Sequence, residues 1–270
     1  MSDIATSPSS ERRSELQEII NRTVYQRSGV ERAYWQETLT PVETAALLRY
    51  QPFFFDRDVL DVGVGTGRTT RYLAPLARRY LGIDYSEPML QKARARNPGA
   101  AFRLLDMLEL AVLGSDEFDF VFAPNNVIDA ASETGRDQVL SGFHAVLRAG
   151  GILMFSSHNL RYGSAFGGPH FEPSPNPIRF ARNLQQYARQ MVNHRRVGRF
   201  RRVESDHAIL NDSGHDYSLL HYYIDRSGCE QQLRHAGFRL LTILDSSGAV
   251  LADEGMGEGS SSLMYVAQRD

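Results

Sequence analysis

The run Val59-Leu60-Asp61-Val62-Gly63-Val64-Gly65-Thr66-Gly67 joins an apolar stretch to one carboxylate and three glycines. Glycines after a buried strand let the backbone approach a ligand closely and accept dihedrals that a side chain forbids. Asp61 suits a ligand carrying an amino group and would repel a pyrophosphate. A dinucleotide fingerprint also needs its third glycine three residues after the second, and that position is Arg68. A second acid, Asp84 in Gly82-Ile83-Asp84-Tyr85-Ser86, ends the next apolar run about 20 residues on, where a ribose-binding carboxylate sits. A third, Asp106 in Arg103-Leu104-Leu105-Asp106-Met107, lies beside an apolar side chain and suits the amine and face of an adenine. Acids at three successive strand ends describe a nucleoside site.

Positioning them requires a parallel sheet with crossover helices, and from Arg57 onward short apolar runs alternate with helical patterns in that way. Strands are expected at 57–62, 79–84, 101–105, 118–123, 151–157, 238–245 and 262–268, with helices at 67–77, 87–96, 134–148 and 226–236. Ser86 is placed to cap the helix after Asp84. Upstream, residues 1–10 read as disordered. Leu16, Ile19, Ile20 and Val24 mark a helix over about 11–27, and Thr40-Pro41-Val42-Glu43 opens another as a capping box with proline at the first position. Residues 11–52 form an N-terminal helical lid, and 53–160 with 225–270 form the core. Residues 161–224 are an insertion: glycines and prolines, an arginine-rich helix, then a β-hairpin over 200–224 around Asn211-Asp212-Ser213-Gly214. It falls over the carboxyl edge of the sheet, where open α/β sheets bind ligands.

These blocks resemble the first three motifs of the class I S-adenosylmethionine-dependent methyltransferases. The likeness continues through Phe118-Asp119-Phe120-Val121 and Val146-Leu147-Arg148-Ala149-Gly150-Gly151, with an echo in Ala236-Gly237-Phe238. It implies a Rossmann-like, doubly wound α/β fold with helices on both faces of a seven-stranded sheet, order 3-2-1-4-5-7-6 with strand 7 antiparallel. It implies S-adenosylmethionine as cofactor and S-adenosylhomocysteine as product. Asp61, Gly63, Gly65 and Gly67 would surround the methionine part, Asp84 the ribose hydroxyls, Tyr85 and Met89 the sugar or base, and Asp106 with Met107 the adenine. Asn125, after the fourth strand, joins this set.

Methyl transfer is an in-line displacement that asks mainly for alignment, and a base only if the acceptor arrives protonated. Residues able to serve it should lie past strands four and five and in the insertion. Candidates to act on the acceptor's proton are His158, Asp129 and His221; candidates to hold the substrate are Tyr34, Asn126, His158, Asn159, His215, Tyr217 and Tyr222. On a hairpin with alternating faces only one side of Tyr217, Leu219, His221 and Tyr223 can line a pocket. Tyr25, Tyr34 and Trp35 would close over it.

Composition narrows the partners. Net charge is -2 and no window approaches the roughly 18 apolar residues of a membrane span, so neither nucleic acid nor membrane is a general expectation. A single cysteine, Cys229, and a polar start suggest a cytoplasmic protein. Eight arginines and no acid between Arg179 and Val203 suggest an anionic small molecule or, alternatively, RNA. A non-catalytic cofactor-binding protein is a second alternative. Adenine-N6 chemistry is disfavoured by Pro124-Asn125-Asn126, and cytosine-C5 chemistry by the distant cysteine. No Cys and His cluster has zinc spacing, and Asn125, Asn126 and Asp129 match a catechol-type metal site only loosely, so no metal is expected.

Overall fold

A computed structural model describes residues 8–27 and 37–270. Tyr34 and Trp35 lie outside the described residues. Two apolar faces organise the sheet. Along β1 (Asp58–Val62), β4 (Phe118–Ala123) and β5 (Leu147–Asn159) successive side chains alternate between them. Leu60, Val62, Val121, Leu153 and Phe155 pack with Val139, Leu140, Phe143 and Val146 of α5 (Glu133–Val146). Val59, Phe120, Phe122, Ile152 and Met154 pack on the other side with Ala46 and Leu47 of α2 (Pro41–Arg49) and Leu73 of α3 (Thr70–Leu73). Both faces of each strand are thus covered, as a parallel sheet requires.

The parallel part runs β3 (Ala101–Leu104), β2 (Arg79–Asp84), β1, β4, β5, and β10 (Ser262–Arg269) then pairs antiparallel with both β5 and β9 (Phe238–Leu244). That is the expected 3-2-1-4-5-7-6 arrangement, with helices on both faces. The sheet has ten strands, however, in place of seven. β5 pairs with β4 only as far as Phe155 and runs on to Asn159; there β8 (His221–Ile224) pairs parallel with His158 and Asn159. β7 (His207–Leu210) and β6 (Arg202–Val203) follow antiparallel. The long β5 therefore ties the insertion to the carboxyl edge of the sheet.

Local chemistry explains where elements begin and end. Thr40 and Glu43 form the expected capping box on α2. α3 is one turn where a helix over 67–77 was expected: the loop continues to Thr69, and Pro75, which has no N–H to donate, ends the helix before it. Ser86 precedes α4 (Glu87–Arg96) without a capping bond; its hydroxyl donates to the carbonyl of Tyr25 instead (3.0 Å). α1 spans Pro8–Tyr25, so residues 8–10 are helical and not disordered, while 1–7 lie outside the described residues. β7 and β8 do form a hairpin, but residues 211–220 make a long connection in place of a tight turn. The connection is fixed by Asn211, which donates to the Tyr217 carbonyl (3.2 Å), and by Asp212, which accepts from the Gly214 N–H (2.8 Å). Helix α6 (Pro177–Gly198) and α7 (Arg226–His235) complete the chain. No described helix is long and apolar enough to cross a membrane.

Candidate active site

A cavity of about 230 Å³ opens at the carboxyl ends of β1, β2, β4 and β5. At one end the glycine loop and β2 meet. Gly65, in the left-handed region at φ 54°, donates its N–H to Asp84 Oδ2 (2.9 Å), while Ser86 N–H reaches Asp84 Oδ1 (2.8 Å). Each Asp84 oxygen keeps a lone pair, and burial pushes the carboxyl up to about 6. Gly67 has a different use. Its φ is 80° and an added Cβ would stand 2.4 Å from Asn97 Nδ2 and 3.0 Å from Ala93 Cα, so it lets the loop close on α4.

Asp61 is fully buried behind the loop. Thr69 Oγ1 (2.6 Å) and Tyr80 OH (2.7 Å) both donate to its Oδ2, while Oδ1 has no hydrogen-bond partner. Desolvation pushes this carboxyl up to about 7. Arg68, where a dinucleotide enzyme would need glycine, is instead buried in an ion pair with Glu43 (Nη2–Oε1 2.7 Å) and clamps α2 onto the loop. The cap residue of one helix thereby also orders the loop.

At the other end stand two histidines, each backed by an aspartate. His158 Nδ1 donates to Asp129 Oδ2 (2.8 Å), which also accepts the His158 backbone N–H (2.6 Å). Asp129 Oδ1 takes Ser157 Oγ (2.7 Å) and the guanidinium of Arg136; Arg136 and Asp129 are both fully buried. Despite desolvation, the His158 hydrogen bond and the Arg136 charge hold Asp129 below the ordinary carboxylate range. This fixes the ring's orientation and, in the neutral imidazole, selects the tautomer in which Nε2 is the acceptor. His221 Nδ1 meets Asp212 Oδ2 (2.8 Å), which also accepts from Tyr223 OH (2.8 Å), and Nε2 faces Tyr25 OH at 3.4 Å. Desolvation opposes ionisation of Asp212, yet the neighbouring His221, with His158, keeps its carboxyl well below the usual range. Asn125 and Asn126, after β4, both sit at positive φ; the Asn126 N–H donates to Ser156 Oγ (2.7 Å) and its buried Oδ1 is unpartnered.

Of the residues singled out from sequence, Gly63, Gly65, Asp84, Tyr85, Met89 and Met107 line the cavity on one side. Asn125, Asn126, His158 and His221 line it on the other, with Tyr25 closing from α1. Asp129 stands directly behind His158. Several do not reach the cavity. Asp106 faces a neighbouring groove, where Arg22 of α1 pairs with it and it caps the following turn through Leu108 N–H (3.0 Å). Asn159 is spent on the carbonyls of Met256 and Gly257 (3.0 and 2.8 Å). Tyr222 lies on the opposite side of β8 from His221, under the Arg136 guanidinium (4.8 Å to its ring centroid). Tyr217 packs edge-on to His194 (5.1 Å), and His215 edge-on to Tyr25 (5.6 Å). No arginine or lysine appears among the described lining residues, and the arginines of α6 do not line it either.

Two contributors were passed over in sequence. Arg136 occupies the apolar stripe of α5, three, four and seven residues before Val139, Leu140 and Phe143; a charge in a buried stripe was a readable signal. Asp212 gave none, because acids in turns are commonplace.

Residues 59–151 match the methyltransferase domain family. The chain is 34% identical over 99 residues to a malonyl-[acyl-carrier protein] O-methyltransferase of Hamiltonella defensa, covering 37% of each chain. It is 30% identical over 159 residues to a trans-aconitate 2-methyltransferase of Variovorax paradoxus, covering 55% of this chain and 59% of that one. The match thus spans just over a third to somewhat over half the length of these relatives. In fold it is similar to a Burkholderia thailandensis 1,6-didemethyltoxoflavin-N1-methyltransferase solved with S-adenosylhomocysteine (TM-score 0.58, 18% identity, 100% of this chain and 94% of that one). A similar likeness holds to an S-adenosylmethionine-dependent methyltransferase of Clostridium acetobutylicum (TM-score 0.58, 14% identity, 85% and 91%). The glycine loop, the strand-end acids and the sheet order agree with these likenesses: residues 59–151 match the methyltransferase domain, and the chain has the fold of S-adenosylmethionine-dependent methyltransferases.

Proposed function

We propose that this chain transfers a methyl group from S-adenosylmethionine to an oxygen or nitrogen of a small molecule held between the glycine loop and His158. The observation that carries the reading is one cavity with two chemically different ends. The glycine-loop end carries unmet acceptors: Asp84 lines it and keeps lone pairs, and behind the loop Asp61 Oδ1 is buried without a partner. Buried acceptors left unpaired are costly, so they mark where a donor-rich ligand belongs. The cofactor's ammonium, ribose hydroxyls and exocyclic amine are such donors. Asp84 would hold the hydroxyls; Tyr85, Met89 and Met107 would flank the nucleoside. Asp61, buried behind the loop, would act on the methionine end through the loop's position and charge.

When bound, S-adenosylmethionine supplies an electrophilic methyl on a sulfonium that leaves readily. The rest falls to the chain's own residues. Asn125 and Asn126 and the apolar Val127 and Ala130 shape the acceptor's seat, and Tyr25 shuts it from water. His158 Nε2, its tautomer set by Asp129, takes a proton from a hydroxyl or ammonium acceptor. The Arg136–Asp129 pair holds that imidazole in place without touching substrate. The relative named as a malonyl-[acyl-carrier protein] O-methyltransferase supports an oxygen acceptor, and the toxoflavin-precursor N1-methyltransferase a nitrogen one.

Calorimetric titration with S-adenosylmethionine and S-adenosylhomocysteine, with NAD and NADP as controls, tests the reading. Micromolar binding of the first pair alone is expected. Binding of a nicotinamide cofactor in their place would overturn it, and binding without methylation across a panel of small acids, alcohols and amines would turn the chain into a cofactor-binding protein.

A further inference from the structure

The acceptor end contains a group of side chains that the methyl-transfer reading uses only in part. His158, Asp212 and His221 come from β5, the β7–β8 connection and β8, and their nearest ligand-type atoms all lie within 4.8 Å of one another. His221 Nδ1 is 2.8 Å and His158 Nε2 3.9 Å from the same Asp212 oxygen. Ligands around one zinc-sized ion stand roughly 3.3–3.5 Å apart, given metal–ligand distances of about 2.0–2.2 Å. The two imidazole centroids are 5.1 Å apart, close to the roughly 5 Å that two histidines on a tetrahedral ion require.

The surroundings argue more strongly than the three side chains. Metal-ligating histidines ordinarily donate their other ring nitrogen to a carboxylate, carbonyl or water, and ligating carboxylates are themselves hydrogen-bonded. All three groups here meet that condition. His158 Nδ1 is on the buried Asp129 (2.8 Å), His221 Nε2 faces Tyr25 OH (3.4 Å), and Asp212 Oδ1 accepts Gly214 N–H (2.8 Å). Both histidines line the cavity, which leaves the fourth side open to a substrate, as in a catalytic rather than a structural site.

We infer that His158, His221 and Asp212 bind one divalent first-row metal ion of the zinc or manganese kind, which orients an oxygen-bearing methyl acceptor. Two imidazoles and one carboxylate suit such ions. The ion supplies the positive charge that the described lining, free of arginine and lysine, does not, and it reconciles that lining with an anionic acceptor. On binding, the proton between His221 Nδ1 and Asp212 moves to Nε2, where Tyr25 oxygen accepts it. His158 would then serve as a ligand, and the ion would lower the pKa of the bound hydroxyl so that its proton is lost to solvent as the acceptor binds. The inference rests on the methyl-transfer reading for its purpose, but the two can fail separately.

The test is titration of tag-free protein, loaded with S-adenosylhomocysteine, with Co²⁺, Zn²⁺ and Mn²⁺, followed by calorimetry and by the visible absorption of Co²⁺. One ion per chain at micromolar affinity or tighter is expected, with at least a tenfold loss in Asp212→Ala and partial recovery in Asp212→Glu. Should the alanine variant not fold, ¹⁵N imidazole spectra of the unaltered protein give the same answer: Zn²⁺ must shift the ring nitrogens of His158 and His221 and leave those of His144 and His235 in place. Cofactor binding with no stoichiometric ion, or ion binding indifferent to Asp212, overturns the metal site and leaves methyl transfer standing. Ion binding without cofactor binding does the reverse.

Discussion

At the glycine-loop end of the cavity, burial raises Asp61 to about 7 and Asp84 to about 6, and neither has a cationic partner in contact. At the acceptor end, Asp129 is just as enclosed but is held low by His158 and Arg136. The first pair is left electrostatically unfinished by the protein; Asp129 is finished by it. A carboxylate whose neighbours do not satisfy it is a place for a ligand, whereas one that is fully satisfied positions something else. Each end should therefore respond differently to losing its acid.

The largest effect is expected at the finished end. Arg136→Ala leaves the Asp129 carboxylate buried without its cation, and breaking one side of a buried pair costs about 3–5 kcal/mol. Urea unfolding should show that loss. Arg136→Met, which keeps much of the volume but not the charge, should also destabilise, so a midpoint equal to wild type would mean that the pair does not hold this corner together. Next in size, His158→Ala should lower turnover about 100-fold, the lower range for loss of a positioned proton acceptor, while S-adenosylhomocysteine binds as before. Loss of cofactor affinity in that variant would place His158 in the wrong half of the cavity.

The same division governs what could be read from sequence. The glycine-loop end lies in consecutive stretches: Asp61 to Gly67, Gly82 to Ser86 and Leu105 to Met107. A turn that brings backbone to ligand needs glycines at fixed spacing, so its chemistry is written locally. The acceptor end is gathered from residues 129, 136, 158, 212 and 221, and only the branch of β5 toward β8 brings them together. Nothing local requires Asp212 to meet His221, since the meeting depends on strand register. Register also decided against Tyr222: it neighbours His221 in sequence, and a strand sends neighbours to opposite faces. Asp106 failed differently. Its strand end is where it should be, but Arg22, 84 residues away, has taken its carboxylate.

A smaller effect belongs to the unfinished end. Asp84→Asn keeps an acceptor oxygen but puts an amide N–H₂ against the N–H of Gly65 or Ser86. About 1.5–3 kcal/mol of charge-assisted bonding to ribose hydroxyls is at stake, so affinity for S-adenosylhomocysteine should fall roughly 10- to 100-fold, with thermal stability of the cofactor-free protein preserved. Reduced stability with unchanged affinity would reverse the contrast between the two ends.

The last expected change is of opposite sign. Asp61 titrates at about 7 in the folded chain, against about 4 for an unfolded carboxyl. Between those values the folded protein holds a proton that the unfolded one has released. Its contribution to stability therefore declines as pH rises from about 4 to about 7 and stays at its lowest above that. Asp61→Asn cannot titrate, and its amide oxygen can still accept from Thr69 and Tyr80. Relative to wild type, the variant should gain about 2–3 kcal/mol, roughly 5–10 °C in melting temperature, between pH 5 and pH 8. It should at the same time bind the cofactor more weakly if, as proposed, the charge that burial makes costly is the one that the ligand's ammonium neutralises. Melting curves that differ equally at both pH values would show that Asp61 is not the group whose ionisation costs the fold stability.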